Sequence, residues 1–189
     1  MVIGNNVSIN HDDVKGSYDP NEIIVSPNGE GADGNIDHKT EELSYLINFQ
    51  NEGNWRTYKV RVENDVDTSL DLSSIALGKI SHPVRLIVRG RTLVWNFEDI
   101  NLSPKIIDEP NSHGFINYTM KLRKNLPINR KIKNTASIYF DYNEPIVTNT
   151  AISTLSLKAT NSSQRDEENL DFDMNYQGDN YEISSLNII

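Results

Sequence analysis

Cysteine is absent from the 189-residue chain, which removes disulfides, thiolate metal sites and cysteine nucleophiles together. No apolar run approaches the ~18 residues that a membrane-spanning helix needs, so no membrane span is expected. The opening stretch "MVIGNNVSINHDD" has neither the basic n-region nor the apolar h-region of a secretory signal. Positive charge is also scarce: 18 Lys and Arg stand against 27 Asp and Glu, for a net charge of -9. A phosphate backbone would be repelled unless the basic residues were gathered on one face. The richest basic stretch, "KLRKNLPINRKIKN" (121–134), alternates with apolar residues as an exposed strand face and its loop would, so nucleic acid is not expected as a partner.

Hydrophobic residues make up 37% of the chain and the mean hydropathy is -0.54. These values are low, but the apolar residues come in blocks that include Tyr, Phe and Trp, which argues for a folded body rather than a disordered one. The length suits one domain with a tail.

The blocks have a period of two. In "LSYLINFQN" (43–51) Leu43, Tyr45, Ile47 and Phe49 share one face, the mark of a half-buried strand. After the break at "EGN", "RTYKVRVEND" (56–65) places Tyr58, Val60 and Val62 inward, and the pair reads as a hairpin or a sheet crossover. The pattern returns at 74–81, 84–90, 92–100, 114–123, 132–142 and 151–159, and "EIIVS" (22–26) opens the series. Each run is rich in β-branched or aromatic residues and bounded by Gly, Pro, Asn or Asp. Pro83, Pro104, Pro110, Pro127 and Pro145 all fall in the gaps, where a missing N–H harms no ladder. Nothing between 40 and 160 has a 3.6 period. The expected fold is therefore all-β, an immunoglobulin-like antiparallel β-sandwich of about 7–8 strands. The expected organisation is an N-terminal linker (1–15), the sandwich domain (16–158), and an acidic polar linker with an incomplete terminal element (159–189).

Enzymatic constellations are missing. Paired carboxylates for glycoside hydrolysis need one acid in an apolar pocket and a partner about 5–10 Å away, whereas every acidic candidate sits in a polar turn. No Gly-x-Ser-x-Gly elbow exists, and "GEGADG" is not followed by the Lys-Ser/Thr of a phosphate loop. His82 precedes Pro83 and His113 precedes Gly114; both read as loop residues bonding backbone at the start of strands, and a zinc site would need three or four converging ligands.

Two oxygen-rich clusters point toward calcium, an ion that takes six to eight oxygens. One is Asp19, Asn21 and Glu22 in "YDPNE"; the other is Asp141, Asn143 and Glu144 in "FDYNEP". They flank the first strand and follow a late one, so a sandwich could bring them to one spot. The competing reading is turn chemistry, in which Asp and Asn side chains bond the backbone two residues on. "DGNID" (33–37) begins like a calcium loop but has His38 where Gly is needed and Ser44 at the twelfth position. Asp65, Asp67 and Asp71 fail the same test, with Leu70 and Ala76 at those positions. Of the two tryptophans, Trp95 lies between Leu93 and Phe97 in an alternating strand and is expected in the core. Trp55, just after a turn and beside Arg56, is the candidate for exposure and for stacking on a sugar. Lys121, Arg123 and Lys124 read as charge protection of an edge strand.

"YDPNEIIVSPNGEG", "LSYLINFQNEG", "LDLSSIALGKISHPV", "NFEDINL", "EPNSHGFINY" and "IKNTASIYFDYNEPIVTNT" occur in this order between about 17 and 155. The series resembles a domain of unknown function from large secreted and surface proteins of Bacteroidetes, usually near a type IX secretion sorting domain. It is also similar to bacterial surface repeats carrying the pattern seen in "YLINFQNEG". The resemblance implies a non-catalytic, extracellular or cell-surface module, structural or adhesive, whose partners are neighbouring domains of a longer chain and a surface glycan or protein. The alternative is a carbohydrate- or calcium-binding accessory module of a secreted enzyme. No cofactor other than Ca²⁺ is expected.

Overall fold

The computed structural model describes residues 20–157 and the backbone of a short strand at 185–188. Each alternating run with β-branched or aromatic side chains contains a strand, and the strands stack into a sandwich.

The first sheet has the order β1-β3-β8-β5, formed by β1 (Glu22–Ser26), β3 (Glu42–Gln50), β5 (Ala76–Ile80) and β8 (His113–Lys121). The second has the order β11-β10-β4-β7-β6-β13. Its strands are β4 (Val60–Asp65), β6 (Arg85–Arg89), β7 (Thr92–Phe97), β10 (Ala136–Phe140), β11 (Ile146–Val147) and β13 (Ser185–Ile188). A three-stranded set, β2-β12-β9, joins β2 (Asn35–Asp37), β12 (Ala151–Ser156) and β9 (Lys131–Asn134). Because β9 pairs with β12 and β10 with β11, residues 131–156 are one long hairpin interrupted at Thr135. The third set thus continues the second sheet past a bend. At the bend the Thr148 N–H donates to Ala136 O (2.9 Å) and the Ala136 N–H to Thr148 Oγ1 (3.0 Å). One 3₁₀ turn, Leu72–Ser74, is capped by Asp71.

The core lies between the sheets. Leu43, Tyr45, Ile47 and Phe49 of β3 are buried as their alternation predicts, and Trp95 is fully buried with Leu93 and Phe97. Tyr118 of β8 stacks on Tyr45 (ring centroids 5.3 Å apart) and lies 5.6 Å from Trp95 across the layers. Phe49 meets Phe97 at 5.3 Å. Gly114, opposite Phe49 in the β3–β8 ladder, has no room for a side chain, since a Cβ there would fall 2.2 Å from the Phe49 ring. Truncating a buried aromatic of this kind costs about 3–5 kcal/mol.

Three expectations need correction. The 56–65 run enters its strand only at Val60: Thr57 bridges to Leu102 and Tyr58 is more than half exposed, so the inward set is Val60, Val62 and Asn64. Lys121 does not guard an edge, because β8 lies between β3 and β5. The strands of the sandwich outnumber the expected 7–8, because the 132–142 run splits at Thr135 and the short β2 and β11 carry too few residues to show a period. The expected crossover after residue 51 is real, since β3 and β4 belong to different sheets. Among the described residues no helix is long and apolar enough to cross a membrane.

Candidate functional site

The loops 51–58, 98–108 and 141–145 are tied together at one end of the sandwich. Asn51, buried, organises the first: its Oδ1 accepts from the Gly53 N–H (3.1 Å), and its Nδ2 donates to Trp55 O (2.8 Å) and Leu102 O (3.1 Å). The Lys105 N–H donates to Asn51 O, and the Ile100 N–H to Tyr58 O. Asp141 ties in the third loop, its Oδ1 accepting from the backbone N–H groups of Tyr58 (3.0 Å) and Lys59 (2.8 Å). Asp141 holds φ 52°, a left-handed conformation that Asp tolerates better than most residues. With the backbone so fixed, the rings of Trp55, Tyr58 and Tyr142 are left in solvent; Trp55 is 80% and Tyr142 100% exposed. Lys59 pairs with Glu98 at 2.7 Å, and that hydrogen bond and charge raise its pKa.

Of the residues assigned to calcium, Asp19 lies outside the described residues. Asn21 is buried and its Oδ1 accepts from the Gln50 N–H (3.2 Å). Glu22 accepts from Asn48 Nδ2 (3.2 Å). The Asn143 N–H closes a turn onto Phe140 O (3.1 Å), and Glu144 is exposed. Asn21 and Glu22 thus bond to β3 of the first sheet, and Asp141 to the start of β4 in the second. Among the described residues no group of three or more His, Cys, Asp or Glu converges to hold a metal ion.

The other clusters resolve into local structure. Asp33 pairs with Lys131 (2.6 Å), and Asp37 accepts from the Lys39 N–H (2.8 Å). Asp65 accepts from Thr92 Oγ1 (2.6 Å). Burial alone would raise the Asp67 pKa, but hydrogen bonds from Ser69 and the charge and hydrogen bond of Arg130 outweigh it and hold the carboxyl below its usual range. Both histidines have side-chain partners: His82 Nδ1 meets Ser81 Oγ (2.8 Å), and His113 Nε2 meets Glu109 Oε1 (2.6 Å) and Gln50 Nε2 (3.0 Å).

Two arrangements escaped the sequence reading. Asn149 grips the backbone of Ile23, accepting its N–H at Oδ1 (2.8 Å) and donating from Nδ2 to its carbonyl (2.9 Å). In the core, Tyr118 OH donates to Asn64 Oδ1 (2.5 Å) and accepts from Asn134 Nδ2 (2.9 Å), while Asn64 Nδ2 donates to Asn134 Oδ1. Burial drives the Tyr118 pKa far above the usual phenol range, so the hydroxyl stays protonated and able to donate. Signals for the triad existed: Asn64, Asn134 and Tyr118 occupy inward positions of their alternating strands. Asn149, in a segment without period, had none. Beside Asn149, a groove of about 360 Å³ runs between β1 and residues 149–152, floored by the 28–34 loop. Gly34 (φ 58°) permits this loop to press on β12, since a Cβ there would lie 2.1 Å from Ile152 O.

Solved structures similar to this one come from bacterial adhesins and pilins. The N-terminal domain of the Streptococcus gordonii adhesin Sgo0707 is 17% identical with a TM-score of 0.52, the match covering 72% of this chain and 33% of that one. The C-terminal domain of the Streptococcus agalactiae AgI/II polypeptide BspA is 13% identical with a TM-score of 0.51, covering 72% and 50%. The major pilin subunit BcpA of Bacillus cereus gives 15% identity and a TM-score of 0.45, covering 71% and 39%. The chain therefore spans a third to a half of these structures, and the likeness to the two adhesin domains establishes the fold, an immunoglobulin-like β-sandwich. No curated protein matches the sequence. Residues 19–154 match the family described as a domain of unknown function, DUF7619, and the chain belongs to that family.

Proposed function

We propose that the domain is a non-catalytic structural or adhesive module of an exported or cell-surface bacterial protein, holding neighbouring domains of a longer chain apart. The observation that carries this reading is the path of the chain. It enters the sandwich at β1, where Ile23 is fastened to Asn149, and completes its long hairpin at the far end of β12, where Ser156 O accepts from the His38 N–H. The seven residue steps from Asn149 to Ser156 span roughly 23 Å at about 3.3 Å per residue. A pull on the two ends first detaches β13 from β6; it is then applied across the length of the sandwich and must shear β1 from β3 and β12 from β2 and β9. The polar loops support a passive role, because Asn51, Asp67, Asp71 and Asp141 each turn one side-chain oxygen to backbone N–H groups. The extracellular setting, with a type IX sorting domain in the same protein, belongs to this proposal.

Single-molecule stretching of tandem copies tests it. The expected trace has one cooperative event per domain, releasing the chain between residues 20 and 157; stepwise yielding without a force peak overturns the mechanical reading. Antibody labelling of intact cells that make the whole protein tests the location, and labelling only after permeabilisation overturns it.

The exposed rings of Trp55, Tyr58 and Tyr142 favour a second reading, a carbohydrate contact at that end of the sandwich. Binding on a glycan array that weakens at least tenfold in Trp55→Ala would support it, and a domain inert to every glycan would sink it.

A further inference from the structure

We propose that copies of this chain bind end to end, the acidic, ring-bearing end of one sandwich seated on the basic end of the next. The strand ladders sort the charges onto two ends. Gln50, His113 and Phe97 lie toward one end, and Glu42, Lys121 and Thr92 toward the other. The loops of the first end, 51–59, 98–109 and 141–145, carry seven acidic residues and three basic ones. At the second end the segments 37–42, 65–71, 89–91 and 121–131 carry eight basic residues and six acidic ones. The two sheets are joined there by the Arg123 N–H on Ser69 O (2.8 Å) and the Asp71 N–H on Lys121 O (2.9 Å). Among the described residues, therefore, one end stands at -4 and the other at +2. At the basic end Asp65, Asp67 and Asp71 turn to local partners, whereas Lys121, Arg123 and Lys124 are exposed.

Apolar surface follows the same division. Of the nine large hydrophobic residues exposed among the described residues, five stand at the acidic end: Trp55, Tyr58, Ile106, Ile107 and Tyr142. The basic end has Ile128 and Leu157. An apolar centre inside a polar rim is how protein interfaces are built, and Trp, Tyr and Arg are the residue types that carry most of their energy. An arginine brought over an exposed ring gains from the ring face as well as from the acidic rim.

Charge also selects the pairing. Two acidic ends repel, as do two basic ends, so the contact joins unlike ends. A contact of that kind is not closed by a two-fold axis and extends into rows of copies. The length of β3 alone sets the ends about 26 Å apart, more than two Debye lengths at about 0.1 M salt, where that length is ~10 Å. An approaching copy therefore meets the charge of one end rather than the net -9 of the whole chain. The inference rests on the reading of the domain as a structural module and names what that module meets.

Sedimentation of the full chain at up to about 1 mM, in about 0.1 M salt, tests it. The wild type is expected to associate reversibly beyond the dimer. Two variants each disable one end: Arg123→Glu with Lys124→Glu, and Trp55→Ala with Tyr142→Ala. All four side chains are exposed, and circular dichroism confirms that both variants fold. Each variant alone is expected to associate at least tenfold more weakly than wild type. Their equimolar mixture is expected to form dimers and nothing longer, because one intact end of each kind remains. A wild type that stays monomeric or stops at the dimer overturns the contact. Association that survives in either variant alone, or that the mixture fails to restore, overturns the joining of unlike ends. None of these outcomes alters the cooperative event expected of the stretched domain, so the module reading stands or falls separately.

Discussion

Asn149 completes a β-bridge that the backbone leaves open, using both ends of its side-chain amide on the N–H and C=O of Ile23. Strand β1 bonds β3 on one side only, so its other side would present bare backbone groups beside the groove. The amide closes that gap and fastens the first strand of the sandwich to the chain entering the last long one.

Asn149→Ala removes both bonds and leaves the N–H and C=O of the buried Ile23 without that partner. The expected cost is about 1–2 kcal/mol, which for a domain of this size lowers the Tm by roughly 3–8 °C. Asn149→Asp keeps an acceptor for the Ile23 N–H but sets a charged oxygen against the Ile23 carbonyl oxygen in place of a donor, so it too is expected to melt below wild type. Thermal melts check both, and an Asp variant as stable as wild type would refute the two-way bond.

The Asn64–Tyr118–Asn134 triad is satisfied only as a set. Tyr118→Phe keeps the ring that stacks on Tyr45 but strips the partner from two fully buried amides. An unpaired buried polar group costs about 1–3 kcal/mol. Replacing all three by apolar residues of similar volume is expected to restore part of that loss. Denaturant titration of the single and triple variants checks the order, and a Phe variant within experimental error of wild type would show that the triad carries no stability.

Much of this was legible before any coordinates. The faces of β3, β7 and β8 follow from period two, and the burial of Trp95 and the exposure of Trp55 follow from their neighbours. What resisted reading has a common cause. Strands β2 and β11 are two or three residues long, too short for a period, and are held by partners distant in sequence. Asn149 and Asp141 act on backbone groups more than 80 residues away, and nothing local to either residue specifies that partner. The candidate ligand Asp141 lies in a turn, and turns are also where side chains serve as backbone caps, so residue type alone does not separate the two roles.

Histidine 82 gives the domain a pH dependence whose sign is fixed by burial, which lowers its pKa below the ordinary 6.5. Above that value both folded and unfolded chains hold it neutral, and its contribution is fully present. As the pH falls from 6.5 through the lower folded value, the unfolded chain binds the proton first and stability is lost. His82→Gln is expected to flatten the decline between pH 7 and 5 relative to wild type. Asp67, also lowered on folding, adds a further loss only as the pH falls from its ordinary 3.8 through its folded value. Melts at half-unit pH intervals check this, and identical slopes in the two proteins would exclude His82 as the source.

Asp141 separates a cap from an ion ligand. As a cap it needs an acceptor oxygen and tolerance of φ 52°, both of which Asn also supplies. As a calcium ligand it needs its negative charge, which Asn lacks. Asp141→Asn is therefore expected to melt within about 1 kcal/mol of wild type. Asp141→Ala loses the acceptor for Tyr58 and Lys59 and also strains the left-handed backbone, for an expected cost of about 2–3 kcal/mol. Asp141→Gly relieves the strain alone and should fall between them. If the carboxylate serves the backbone, millimolar Ca²⁺ shifts the melting of wild type and Asp141→Asn by the same amount. A shift in wild type that disappears in Asp141→Asn would instead place Asp141 among the ligands of an ion shared by the clusters around residues 21 and 141.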